Sequence, residues 1–167
     1  MNFDELLCIQ AADEKPSTTS LFRIAWHSFN QAVHNPSIAA VQTAIILLLK
    51  VPTSNFNLDS SFKYSVLGSA VSVANSLGLN LDPSRWQIPI WQVRLRRRLS
   101  WTLFTIDTWL SMSLGRPRHI SPENWIIDKL MKEDVEEEYD PGSKSVDRLL
   151  RSSKLTNIVD SILRQLL

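Results

Sequence analysis

The feature that most constrains the fold is the stretch 90–114, which contains neither glycine nor proline. Its apolar residues recur at intervals of three or four and so share one face of a helix: Leu95, Leu99, Leu103, Ile106 and Leu110. Pro89 suits the first turn of a helix, and Gly115 followed by Pro117 ends it. Trp101, Phe104 and Trp109 widen the apolar face. We therefore predict one long, mostly buried helix with others packed around it.

Helical periodicity also marks four other stretches, at residues 20–33, 38–49, 60–77 and 145–167. Ser37 is a predicted N-cap, and Gly78 a predicted helix stop. Small residues around Gly68 predict a position at the bundle centre, where a neighbouring helix approaches closely. Only four glycines occur in 167 residues, which argues against a many-turned β fold. The predicted fold class is all-α, a multi-helix bundle forming a single domain over residues 1–167.

Charge and cysteine content exclude several functional classes. The net charge of +1 gives no overall electrostatic case for binding nucleic acid or an anionic membrane. The single cysteine, Cys8, excludes internal disulfides and multi-cysteine metal clusters within these residues. The acidic start is unlike a signal peptide, and the most apolar stretch, 38–49, is too short to span a bilayer. We expect a soluble intracellular protein without a membrane segment.

No pattern in the chain indicates catalysis or metal binding. The three histidines, His27, His34 and His119, lack carboxylates or thiolates at ligand spacing. No serine lies in a nucleophile elbow, and Cys8 has no adjacent histidine. Residues 132–140 are almost wholly charged and predict an exposed acidic loop, with a partner-binding surface as the alternative. We therefore predict no enzyme activity, no catalytic residue, no metal ligand and no cofactor in this chain.

The basic cluster Arg94, Arg96, Arg97 and Arg98 lies on the predicted long helix. Consecutive helical residues diverge by about 100°, so Arg96, Arg97 and Arg98 point in different directions and some must lie beside the apolar stripe. Internal ion pairs are therefore favoured over DNA contact. Asp107 lies in an otherwise apolar turn, where an unpaired charge would be costly. Our hypothesis is that Asp107 pairs with Arg116, or with Arg97 or Arg98. A ligand pocket near Trp101 and Trp109 is an alternative to simple core packing.

Residues 36–117 resemble the fungal-specific transcription factor domain, the "middle homology" region of zinc binuclear cluster regulators. Three segments carry the resemblance in order: PSIAAVQTAIILLL, AVSVANSLGLNLDPSRW and RRRLSWTLFTIDTWLSMSLGRP. The residues that match the family signature are Gln42, Gly78, Asp82, Arg97, Arg98, Leu99, Trp101, Asp107, Gly115, Arg116 and Pro117. The chain departs from the family pattern at Asn80, Arg94, Ser100 and Thr108.

The resemblance implies a regulatory domain that controls RNA polymerase II transcription of metabolic genes in the fungal nucleus. It would act by sensing a small-molecule effector, by restraining activation or by binding co-regulator proteins. The family binds DNA through a separate module of six cysteines and two zinc ions, so zinc and DNA contact are expected only in a module absent here. Because the pattern starts close to Met1 and stops within a helix, we expect a fragment. The alternative is a helical scaffold, adaptor or co-regulator acting only through protein contacts.

Overall fold

The boundaries of the helices follow the local signals in the sequence. The structure is a computed structural model that describes residues 17–50, 60–135 and 144–166. It contains α1 (Thr18–Ala32), α2 (Ile38–Leu49), α3 (Ser60–Ser76), α4 (Ile90–Leu114), the short α5 (Lys132–Val135) and α6 (Lys144–Leu166). Single 3-10 turns follow α3 at Pro83–Arg85 and α4 at Pro122–Asn124. Within the described ranges there is no strand, only an isolated bridge between Leu81 and Ile126, so the all-α prediction is confirmed.

Capping explains where several helices begin and end. The side chains of Ser17 and Ser37 accept hydrogen bonds from the backbone N–H groups of Ser20 and Ala40, which start α1 and α2. Gly78 follows α3 with φ of 69°, and Gly115 ends α4 with φ of 60°. Both glycines adopt the left-handed conformation that other residues resist. The predicted helix stops at these two positions are confirmed.

The helix α4 contacts more elements than any other in the described part of the chain. It packs against α2 and α3 on one side and against α5 and α6 on the other, while α1 packs on α2. The residues of α3 that face α2 and α4 are buried: Val66, Leu67, Ala70, Val71, Val73 and Ala74. On α4, Leu99 and Leu103 are buried, and the rest of the predicted stripe packs partly against the core. Burial of this stripe supplies the hydrophobic stabilisation that joins the helices.

The close neighbour of Gly68 on α3 is a side chain rather than a helix backbone. A Cβ at this position would lie 2.9 Å from Cε1 of His119, so the imidazole ring rests directly on the glycine. Nε2 of His119 is 3.1 Å from the carbonyl oxygen of Tyr64, and the Tyr64 hydroxyl donates to the carbonyl oxygen of Pro117. Because Gly68 has no side chain, His119 can pack there and hold the segment after α4 against α3.

The prediction of an exposed acidic loop over residues 132–140 is wrong for its first part. Residues Lys132–Val135 form α5, and both Asp134 and Val135 are buried. The Asp134 carboxylate accepts a hydrogen bond from the backbone N–H of Met131 and pairs with Arg97 of α4. A tertiary partner for the charge therefore made burial possible. Residues 136–140 lie outside the described ranges. None of the helices in those ranges has the length and hydrophobicity needed to cross a bilayer.

Substituting Gly78 should destabilise the fold more than substituting Gly115. Gly78→Ala and Gly115→Ala both force alanine into a left-handed conformation, which costs about 1–2 kcal/mol. At Gly78 the added Cβ would also lie 2.9 Å from Cη2 of Trp86, whereas at Gly115 it meets nothing within 4 Å. We expect a further loss of about 1–3 kcal/mol for Gly78→Ala from this overlap. Urea unfolding of both variants measures the difference, and equal losses would contradict it.

Candidate functional site

Two groups of charged residues join α4 to the rest of the molecule. The first, here called the Arg97 cluster, consists of Arg97, Asp82, Ser84 and Asp134. Arg97 donates through Nε to Oδ2 of Asp82 at 3.0 Å and through Nη2 to Oδ1 at 3.1 Å, a two-pronged contact. Its Nη1 donates to Oδ1 of Asp134 at 3.2 Å. One guanidinium thus binds the loop after α3 and the short helix α5 at once.

The Asp82 carboxylate is held in its charged form. Burial raises its pKa, but hydrogen bonds from Arg97, from Ser84 and from the backbone N–H of Asp128 together lower the pKa from 3.8 to about 2. The hydrogen bond to Asp82 likewise raises the pKa of Arg97, with the nearby charge of Asp134 acting in the same direction. The predicted internal ion pairing of the arginine row is therefore confirmed for Arg97.

The second group, the Arg118 cluster, consists of Asp107, Arg118, Asp160 and Arg164. Asp107 is fully buried, and its Oδ2 accepts from Nε of Arg118 at 3.0 Å. Arg118 also donates through Nη1 to Asp160 of α6, and Oδ2 of Asp160 accepts from Nε of Arg164 at 2.9 Å. The cluster therefore links the last turns of α4, the segment after it and α6.

Backbone groups complete the coordination of Asp107. The N–H of His119 donates to Oδ1 at 2.9 Å, and the N–H of Ile120 donates to Oδ2 at 3.2 Å. A buried carboxylate with one guanidinium and two amide donors has its charge well compensated. The carboxylate therefore fixes the direction in which the chain leaves α4.

The hypothesis that Asp107 pairs with Arg116, Arg97 or Arg98 is wrong, because its partner is Arg118. The left-handed Gly115 reverses the chain, so that residues 118–120 return along α4. Arg116 instead lies over the ring of Tyr64, 5.0 Å from its centroid. Two arginines flank Pro117, and sequence spacing does not indicate which one turns inward.

The other residues of the signature occupy varied positions. Gln42 is exposed on α2, while Arg98 is half-buried and Leu99 is buried on α4. Trp101 is buried, and its Nε1 donates to the carbonyl oxygen of Asp128 at 2.9 Å. The carbonyl oxygen of Pro117 accepts from the Ser111 hydroxyl at 3.3 Å. The structure thus brings Arg97 together with Asp82, whereas Gln42 forms no hydrogen bond with a residue of either cluster.

Three of the four positions at which the chain departs from the family pattern are occupied by polar residues with definite hydrogen-bond partners. The buried Ser100 hydroxyl donates to the carbonyl oxygen of Leu79 at 2.6 Å, which links α4 to the end of α3. The Thr108 hydroxyl donates to the carbonyl oxygen of Phe104 within α4. Nδ2 of Asn80 donates to the carbonyl oxygen of Asn124 at 3.2 Å. These departures are therefore accommodated by hydrogen bonds within the fold.

A cavity of about 320 Å³ lies beside Trp101, between α4, α6 and the segment before α5. A second cavity of about 140 Å³ shares Trp101 and Asn157 with it and reaches Asp160 and Arg164 of the Arg118 cluster. The predicted pocket near Trp101 thus has a counterpart, but Trp109 does not line either cavity. Nε1 of Trp109 donates to the Thr156 hydroxyl at 3.0 Å and joins α4 to α6.

The described residues offer cavities and ion pairs rather than a reaction centre. Within residues 17–50, 60–135 and 144–166, no group of three or more His, Cys, Asp or Glu side chains could hold a metal ion. His27 is exposed and contacts Gln31, while His119 is held between Gly68 and the backbone of Tyr64. What this arrangement can do chemically is hold helices through ion pairs and admit a small molecule between them.

Loss of the Arg118 charge should destabilise the protein far more than loss of the Arg116 charge. Arg118→Gln leaves the buried Asp107 carboxylate without its cation, which costs about 3–5 kcal/mol. Arg116→Gln removes a peripheral contact, so we expect a loss below about 1 kcal/mol. Urea unfolding at pH 7 measures both. A double-mutant cycle with Asp107→Asn should give a clear coupling energy for Arg118 and none for Arg116; the reverse result would refute the pairing.

The contribution of Asp82 to stability should disappear in acid. Because its pKa is lower in the folded state, about 2, than the ordinary 3.8, ionised Asp82 stabilises the fold above pH 4. That stability is lost as the pH falls from 3.8 towards 2. Urea unfolding of the wild type and Asp82→Asn should show a difference at pH 6 that shrinks over this range. A difference independent of pH would contradict the assignment.

Comparison with known proteins places this arrangement in a family. The chain is 31% identical over 122 residues to the transcriptional activator protein DAL81 of Saccharomyces cerevisiae, covering 72% of this chain and 12% of that protein. It is 34% identical over 151 residues to the thiamine repressible genes regulatory protein thi1 of Schizosaccharomyces pombe, covering 85% and 18%. To the acetamidase regulatory protein of Aspergillus fumigatus it is 26% identical over 145 residues, covering 86% and 18%.

The chain thus spans less than a quarter of the length of each of these three regulators. No solved structure matches it. The relatives are transcriptional regulators rather than enzymes, and the adaptor alternative is not favoured by them. The profile of the family described as "Fungal specific transcription factor domain" matches residues 8–167, so nearly the whole chain is covered. The chain belongs to the fungal-specific transcription factor domain family.

Proposed function

We propose that this chain acts in the nucleus as the regulatory region of a longer regulator of RNA polymerase II transcription. Three observations support the proposal: the family match over residues 8–167, the regulatory names of its relatives, and an α4 tied on both sides by charged clusters. The family match is the main support, because it covers all of the described residues. Target genes of metabolic type follow from relatives named for acetamidase and for thiamine-repressible genes.

DNA and zinc binding would belong to a different module of the full-length regulator. The chain has one cysteine, whereas a zinc binuclear cluster needs several thiolate ligands. Of the arginine row, Arg97 is engaged with Asp82 and Asp134, and Arg96 donates to the carbonyl oxygen of Leu77. These two arginines therefore stabilise the fold through internal contacts. The chain itself would carry neither catalytic activity nor a cofactor.

Regulation would act through the packing of α6 against α4. The contact depends on the ion pair between Arg118 and Asp160 and on the hydrogen bond between Trp109 and Thr156. A small molecule or a co-regulator protein that binds better to one packing of these helices would shift the population towards it. The shift would expose or mask a surface used by the activation machinery.

A reporter assay tests the regulatory role. The 167-residue chain is inserted between a well-characterised DNA-binding domain and an activation domain, and reporter expression is compared with that of the two domains joined directly. We expect the insert to change expression by about fivefold, within the usual range of regulatory coupling. Arg116→Gln should retain the effect, whereas Arg118→Gln should lose it.

The DNA arm of the proposal is tested with the isolated chain. At physiological salt it should give no sequence-specific footprint, because its DNA-contacting module lies elsewhere. A specific footprint, or an insert without effect on the reporter, would contradict the proposal.

A further inference from the structure

We propose that the 320 Å³ cavity beside Trp101 is a binding site for a small amphipathic carboxylate. The inference rests on the proposed regulatory function and specifies where and with what chemistry an effector would act. It follows from three features of the cavity: an apolar floor, an excess of lysines, and an amide group without a partner.

The floor of the cavity is apolar. Trp101 and Leu130 are each only 7% exposed, and Leu150 is half-buried, so these side chains form the inner surface. The indole N–H of Trp101 is already bound to the carbonyl oxygen of Asp128, which leaves the rest of the ring as an apolar face. A volume of about 320 Å³ lies at the lower end of the range for small-molecule sites. The floor therefore suits a short hydrocarbon or aromatic group rather than a bulky ligand.

The rim of the cavity carries basic side chains. Lys129, Lys132 and Lys154 all line it, and none of the described lining residues is acidic. Lys132 takes part in a contact elsewhere in the protein, which leaves Lys129 and Lys154 to attract a ligand. Lys129 and Lys154 are exposed, which places their ammonium groups on the solvent side of the apolar floor. A ligand with an anionic head and an apolar tail would satisfy both parts at once.

Asn157 adds a polar contact at the junction of the two cavities. It lines both of them, and its side-chain amide forms no hydrogen bond with the described residues. By contrast, the Ser153 hydroxyl is already used, donating to the carbonyl oxygen of Leu150. The amide of Asn157 can therefore donate to an oxygen of the ligand head.

Occupation of this cavity would bear directly on the contact between α4 and α6. Trp101 belongs to α4, whereas Leu150, Ser153, Lys154 and Asn157 belong to α6. A ligand between them bridges the same two helices that Arg118 and Asp160 hold together one turn further along α6. Binding would thus favour the arrangement in which α6 packs against α4. This packing is what the proposed regulation controls.

The test uses octanoate as the probe, with octanamide as its uncharged analogue, and isothermal titration calorimetry of the full 167-residue chain. We expect octanoate to bind in the micromolar to millimolar range and octanamide to bind about tenfold more weakly, since only octanoate carries the charge that the lysines attract. Acetate, which lacks the apolar tail, should show no measurable heat.

A pair of double variants identifies the site. Lys129→Gln/Lys154→Gln should weaken octanoate binding about tenfold and leave octanamide unchanged, because two attractive charges are lost at the cavity. Arg23→Gln/Arg85→Gln also removes two exposed positive charges, but from positions that do not line the cavity, and should bind octanoate as the wild type does. Circular dichroism confirms that each variant is folded.

Two results would overturn the assignment: no binding of octanoate up to millimolar concentration, or equal weakening by both double variants. Neither result would change the outcome of the reporter assay, which contains no added ligand. An insert that still changes reporter expression would then show that the regulatory role stands and only the ligand site is wrong.

Discussion

The structure depends on the charge of Asp107, buried at the inner face of α4. Its two oxygens accept hydrogen bonds from Arg118 and from the backbone N–H groups of His119 and Ile120. One carboxylate therefore defines how the chain turns after α4. The same arginine reaches Asp160, which brings α6 alongside. A charge of this kind is costly to bury alone and stabilising only when every partner is present. The turn after α4, the packing of His119 against Gly68 and the position of α6 therefore depend on one another.

The two charged clusters hold other elements against α4 at different points along its length. The Arg97 cluster binds the loop after α3 to α5 near the beginning of the helix, and the Arg118 cluster binds α6 near its end. Between them lie Trp101 and the cavities that open towards α6. Ion pairs depend on distance and direction, whereas apolar contacts tolerate sliding. The clusters therefore set the position of α6, and the space beside Trp101 is where a bound molecule has most influence over it.

The charged residues of α4 have physical roles that family membership by itself does not explain. The profile match assigns the chain to regulators of transcription, but it does not explain why Arg97 or Asp107 occurs where it does. The contacts supply that reason: Arg97 joins two carboxylates from different elements, and Asp107 organises a turn. Equally, the departures at Ser100 and Asn80 are tolerated because each side chain finds a backbone acceptor.

The sequence by itself determined the helices, their ends at Gly78 and Gly115, and the buried face of α4, because periodicity and backbone preference are local properties. It also indicated that Asp107 needs a cation, since burial follows from its apolar neighbours. The identity of that cation, the burial of Asp134 in α5 and the cavity lined by three lysines were decided only by the tertiary structure. Each of these depends on groups brought together from different elements, and spacing along the chain does not encode which side chain faces which across a turn.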